Sequence, residues 1–183
     1  MENSATEKTL DPTIDLNAQQ RTKLMVKVNG DSKACFEKLL FIAKKTVIIL
    51  AKSWNDPLFE LSSSSLTTFM KNNVPIQIIL GDSIHTGSPT YIKPYLSSRS
   101  EKKLKVYKAN YGLCSSFFRW CDLECPEFPV IADSNLSHIR FCDTSDSKKP
   151  VWYSVTNFDD VKTVDSVRQR LNIILNHPST LLY

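Results

Sequence analysis

Two short apolar runs constrain this chain more than any other feature in it. Thr46-Val-Ile-Ile-Leu-Ala51 and Pro75-Ile-Gln-Ile-Ile-Leu80 are rich in β-branched residues and show little alternation of apolar with polar positions. A strand with one wet face alternates, whereas a strand covered on both faces does not. Between the runs, Leu58, Leu61, Leu66, Phe69 and Met70 recur at helical spacing. They follow the turn-forming Ser53-Trp54-Asn55-Asp56-Pro57 and precede Asn72-Asn73. Strand, helix and strand within about 35 residues make a βαβ unit with parallel strands and a right-handed crossover. Neither run is long enough to span a bilayer.

The flanking sequence extends this unit. Residues 1–15 are polar, aperiodic and carry Pro12, so a flexible N-terminal tail is expected there, followed by a single domain over 16–183. Residues 16–28 read as a first helix with Asp15 as its cap, ending near Asn29-Gly30. Asp31 and Ser32 cap a second helix with Cys35, Phe36, Leu39, Leu40 and Ala43 on one side, closed by Lys44-Lys45. Downstream, 81–89 is a loop holding His85, and 92–98 a short helix. Residues 103–108 alternate as a half-exposed strand, Leu104 and Val106 inward and the lysines outward. After an irregular stretch over 110–126, strands are expected at 128–132, 138–142 and 151–155. Asn157-Phe-Asp-Asp then caps a helix with Val161, Val164, Val167, Leu171, Ile174 and Leu175 on one face. The expected fold class is α/β, a mixed β-sheet with helices on both faces.

Composition narrows the function. With 183 residues, 42% of them hydrophobic and 23% charged, the chain can bury a core. Four glycines argue against a glycine-built phosphate cradle, and five cysteines, an odd number, against a disulfide framework. The polar start is unlike a signal peptide, so a cytoplasmic protein without membrane contact is expected.

The net charge of +4 is concentrated. Arg99, Lys102, Lys103, Lys105, Lys108 and Arg119 lie between positions 99 and 120 against a single acid, Glu101. Tyr107, Tyr111, Phe117, Phe118 and Trp120 are interleaved with them. Lysines neutralise phosphates while aromatic rings stack on bases, so Lys102, Lys103, Lys105, Lys108, Arg119, Tyr107 and Tyr111 are candidate contacts to DNA or RNA. A lysine-guarded strand edge over an aromatic core is the plainer account of the same residues.

The order of elements, with three short motifs, resembles one half of a phospholipase D-like domain. Residues 43–82 read like that superfamily's opening, Phe128-Pro-Val-Ile-Ala-Asp133 like its "K-F-x-V-x-D" strand, and Thr156-Asn157-Phe158 like its "S-x-N-[FW]" segment. The resemblance covers roughly 33–176 and implies the fold, not the chemistry. That superfamily's motif is His, any residue, Lys, four residues, Asp, with the His as nucleophile on phosphorus and the Lys on phosphate oxygens. Anchored on Asp133, it places Pro126 at the His and Phe128 at the Lys. A proline has no nucleophile and a phenyl ring cannot pair with an oxyanion, so no catalytic residue is assigned. A second register, His138-Ile-Arg140, has a cation at the right spacing but puts Ser145 where Asp is required and Asp146 one step late.

Other constellations admit a structural account as well. Cys114, Cys121, Cys125, His138 and Cys142 carry soft donors, and Cys121-x3-Cys125 with His138-x3-Cys142 would suit zinc. Buried free cysteine is the commoner role, and no metal or cofactor is assigned. Asp122, Glu124 and Glu127 read as a solvated acidic loop. Trp54, His85, Asp133 and Asn157 are candidates for a relict pocket.

The expectation is a pseudoenzyme: a non-catalytic phospholipase D-like module that binds or assembles. Nucleic acid is its candidate ligand, and a homodimer is what the resemblance to single-half members implies. A regulatory subunit of a larger protein complex is one alternative. A phosphodiesterase with a non-standard site is the other. The resemblance also extends to degenerate domains of prokaryotic defence or mobile-element systems.

Overall fold

The structure is a computed structural model, and it describes residues 24–27, 29–72, 74–81, 87–96, 104–110, 112–114, 128–143 and 151–182. In chain order the elements are β1 (Leu24–Lys27), α1 (Asn29–Ile42), β2 (Val47–Ala51), α2 (Pro57–Leu61), α3 (Ser63–Lys71), β3 (Ile76–Leu80) and α4 (Lys93–Leu96). They continue with β4 (Leu104–Lys108), β5 (Phe128–Ala132), β6 (Leu136–Asp143), β7 (Val151–Asn157), α5 (Val161–Leu175) and β8 (Leu181–Leu182).

All eight of these strands join one sheet in the order β1-β7-β6-β5-β2-β3-β4-β8. β2, β3 and β4 run parallel, and every other pairing is antiparallel. Every residue of β2 is buried, as its unbroken apolar run requires. Val47, Ile49 and Ala51 enter a cluster with Phe36 and Leu39 of α1, Phe59 of α2 and Leu66 and Phe69 of α3. Ile48 and Leu50 turn the other way, onto Val164, Val167, Leu171 and Ile174 of α5. The sheet is therefore mixed and carries helices on both faces. Each fully buried large side chain contributes roughly 1.5–3 kcal/mol. Pro57 opens α2 behind the cap Asp56, whose side chain accepts the Leu58 N–H, and Asp160 caps α5 by accepting the Thr163 N–H.

Four expectations need correction. Residues 24–27, assigned above to a helix, form β1, which pairs with 153–156 of β7. Partners more than a hundred positions away override local propensity. The lysines of β4 do not all point outward. Strand parity sets Lys105 on the face of Tyr107 and Lys108 on the face of Leu104 and Val106, and Tyr107 itself packs against the cluster under α5. Val161 is not on the inner side of α5 but 52% exposed, because it lies in the first turn beyond the sheet's cover. The helix expected across 58–70 is divided at Ser62 into α2 and α3. The proposed tail over 1–15 lies outside the described residues. Among the described residues, no helix is long and apolar enough to cross a membrane.

Candidate functional site

The parallel strands give the sheet two distinct edges. At the carboxyl edge, the chain leaving β2 turns through Trp54 and Asp56 into α2. Phe128 of β5 reaches the same edge, because β5 runs antiparallel to β2 with Ala132 opposite Val47 and Val130 opposite Ile49. Across the next two strands Phe128 is paired with Arg140, and Arg140 with Ser154. Arg140 is thus paired across the ladder with the position that the motif gives to its lysine. Pro126 lies outside the described residues.

This cation is not offered to a ligand. Arg140 Nη1 donates to Asp56 Oδ1 at 2.6 Å and Nη2 to Oδ2 at 3.1 Å, a bidentate pair. The side chains are only 7% and 3% exposed, so the pair is nearly dry. Asp56 Oδ1 also accepts the Leu58 N–H at 2.9 Å, so one carboxylate caps α2 and ties it to β6. Sequence reasoning singled out Arg140 and missed Asp56 as its partner. Eighty-four positions separate them, and no local pattern links the two.

His138 lies one pleat deeper on the same strand, opposite Val130 and Thr156. It is 0% exposed, its ring sits 6.0 Å from that of Phe36, and its Nδ1 is hydrogen-bonded to Thr156 Oγ1 at 2.7 Å. Burial, and then the neighbouring Arg140 charge, push its pKa down to about 3. A neutral imidazole sealed in the core cannot reach the phosphorus of a polymer in solvent. The His138–Arg140 alternative therefore lacks an accessible nucleophile.

Asp133 is at the opposite, amino edge. Its Oδ1 accepts the N–H of Lys45 at 2.7 Å and of Thr46 at 3.0 Å, and its Oδ2 that of Lys44 at 3.0 Å. Its own N–H donates to Thr46 O, and its carbonyl accepts from Arg168. Partial burial pushes this carboxyl up, but the three backbone N–H groups and Lys45 outweigh that and hold it below the usual carboxylate range. Asp133 also has a φ of 52°, a left-handed backbone that Asp tolerates better than most residues. Its carboxylate is a clasp between the β5–β6 turn and the start of β2. Asp133→Ala is expected to cost about 2 kcal/mol in urea unfolding, and Asp133→Asn less, since Asn keeps an acceptor and the same backbone tolerance. Equal stability of Asp133→Ala and the parent chain would overturn this role.

Of the residues grouped as a relict pocket, Trp54 and Asp133 lie at opposite ends of β2. Trp54 is 7% exposed, with its ring 5.1 Å from that of Phe59, and Asp133 lies at the other end of β2, about 16 Å away along the strand. Asn157 is at the Asp133 end, opposite Ser137, and accepts the Asp159 N–H. His85 lies outside the described residues. Of the soft donors, Cys114 and His138 lie on opposite faces of the sheet. Cys114 packs in the cluster under α5, where burial raises its thiol to about 11, while His138 faces α1 across the sheet. Cys121 and Cys125 lie outside the described residues, among which no group of three or more metal-binding side chains is found. Of the basic aromatic segment, Lys105 is exposed, and Tyr107 and Lys108 are half-buried. Lys102, Lys103, Tyr111 and Arg119 lie outside the described residues.

No protein family matches the chain by sequence, and no curated protein does. Solved structures do match, over 88% of it. TrmBL2, an archaeal chromatin protein with a novel mode of DNA binding, is 13% identical with a TM-score of 0.55 over 55% of its length. Phosphatidylserine synthase of Haemophilus influenzae is 14% identical with a TM-score of 0.54 over 39% of its length. Nuc of Salmonella typhimurium, a phospholipase D family member, is 13% identical with a TM-score of 0.55 over 99% of its length. The chain thus spans about half or less of the first two and nearly all of the third. It has the phospholipase D-like α/β fold.

Proposed function

We propose that this chain is a non-catalytic phospholipase D-like module that binds or assembles, and that its ligand is nucleic acid, met through the basic aromatic segment over 99–120. One observation carries the non-catalytic part. At the sheet edge where Phe128 replaces the motif's lysine, Arg140 is spent on Asp56, and the nearby imidazole of His138 is 0% exposed. Both terminal nitrogens of this guanidinium are held by a buried carboxylate, which already offsets its charge. The ligand class is supported by the concentration of lysines with aromatics, and by a fold shared with a chromatin protein that binds DNA. A homodimer belongs to the same reading.

Fluorescence anisotropy of labelled oligonucleotides against salt tests it. Binding is expected to weaken steeply from about 50 to 200 mM salt, and Lys105→Glu to lower the slope of log affinity against log salt by about one. Absent or salt-independent binding would overturn the ligand. Cleavage of a generic phosphodiester that stops in His138→Ala would overturn the non-catalytic reading.

A further inference from the structure

One aromatic ring on this molecule is placed as no core residue would be. Phe41, in the last turn of α1, is 84% exposed, while Phe36, Leu39 and Leu40 of the same helix are 0–2% exposed beneath it. The helix points those three into the sheet and leaves Phe41 on its outer face. Lys38, one turn earlier on that face, holds its ammonium 5.9 Å from the centre of the ring. Lys44 and Lys45, immediately after the helix, are exposed. Glu37, the acid nearest in the helix, is turned aside: its Oε1 accepts the Ser65 hydroxyl at 2.8 Å and lies 3.9 Å from Lys33. This end of α1 thus carries an exposed ring beside Lys38, with Lys44 and Lys45 following it in the chain and the Asp133 carboxylate held at their backbone N–H groups.

We infer that this face of α1 is a contact site for single-stranded nucleic acid, with a base stacked on Phe41 and the flanking phosphates paired with Lys38, Lys44 and Lys45. The inference rests on the proposed ligand class and adds a site remote from the basic strand. α1 packs over β6 and β7, whereas β4 lies four strands from β6 in the sheet. The chemistry chooses among anionic partners. Bases of a duplex keep their faces stacked on one another, so an exposed ring gains nothing there, whereas an unpaired base offers a free π-face. An anionic membrane would want a broad apolar face. Among the described residues of α1, the exposed positions that share this face by helical period are Lys38 and the small Ala34, which add little apolar area to the ring.

Phe41→Ala, Phe41→Trp and Lys38→Glu/Lys45→Glu are compared with the parent chain by anisotropy on a labelled oligothymidine and on a duplex of equal length. Lys105→Glu/Lys108→Glu serves as the reference for the basic strand. Phe41→Ala is expected to weaken oligothymidine binding roughly 5- to 150-fold, the usual worth of one stacked base, while Phe41→Trp keeps it. The double Glu variant is expected to weaken it and to flatten its salt dependence. The ring buries little, so circular dichroism melting of Phe41→Ala should match the parent. Oligothymidine binding that Lys105→Glu/Lys108→Glu abolishes and Phe41→Ala leaves unchanged overturns this site and keeps the proposed function. No binding to either oligonucleotide overturns both. Phe41-dependent binding to phosphatidylserine vesicles, with none to oligothymidine, overturns the nucleic-acid assignment in favour of a membrane.

Discussion

Arg140→Met is expected to lower the unfolding free energy by about 3–5 kcal/mol, the cost of stranding a buried carboxylate without its partner. The carboxylate is Asp56, 3% exposed and held by both guanidinium nitrogens. On a domain of this size that corresponds to a fall in Tm of roughly 10 °C, at about 2–4 °C per kcal/mol. Its other hydrogen bond, from the Leu58 N–H, caps α2 but does not neutralise a charge. The decisive comparison is the double variant Asp56→Ser/Arg140→Met. Serine keeps a cap for Leu58 and removes the charge, so most of the loss should return. A double variant as unstable as Arg140→Met would mean that the pair acts through packing rather than charge. Urea titration followed by tryptophan fluorescence reads both, since Trp54 lies two residues from Asp56.

The second large effect is a loss of stability in mild acid. His138 is buried neutral, with a pKa near 3 in the folded chain against an ordinary 6.5. The unfolded chain takes up a proton at about pH 6.5 that the folded chain refuses until about pH 3. Between those values the unfolded state therefore holds more protons, and stability rises with pH. The contribution of His138 is complete above pH 6.5 and declines as the pH falls, at up to about 1.4 kcal/mol per unit. Between pH 6.5 and 4 this amounts to about 3 kcal/mol. His138→Gln, which retains a hydrogen-bonding group near Thr156 but does not titrate there, should flatten that limb. The carboxyl of Asp133, held low, adds its own loss only in more acid solution, as the pH falls through its folded pKa, and so does not mask the effect. Parent and variant curves of equal slope between pH 6.5 and 4.5 would show that water reaches the ring.

Both effects arise from one row of residues that closes the carboxyl edge of the sheet. Where the resemblance calls for a histidine and a lysine facing a ligand, this chain has turned polar groups inward. Arg140 pairs with Asp56, and His138 with Thr156, between β6, β7 and α2. Buried polar groups cost free energy unless they find partners, so these two pairs favour one arrangement of the edge.

How much of this could be read from the residues in order depends on the range of the forces involved. Burial of β2 and β3 on both faces was legible in Val47–Ala51 and Ile76–Leu80, because a run of β-branched residues without alternation has no solvent side. So was the inner face of α5, where Val164, Val167, Leu171 and Ile174 follow the helical period. The absence of a nucleophile at 126 and of a cation at 128 was legible too, since it depends on residue type alone. The state of residues 24–27 was not, because a strand is made by its partner, and theirs lies in β7. Nor could spacing show that Asp133 faces three backbone N–H groups at one edge while Trp54 lies at the other. Side-chain chemistry along the chain determined which residues stand at positions 126 and 128. Folding decided what became of the charged groups that remain, because whether an arginine meets a phosphate or a buried aspartate 84 positions away is set by the sheet that brings them together.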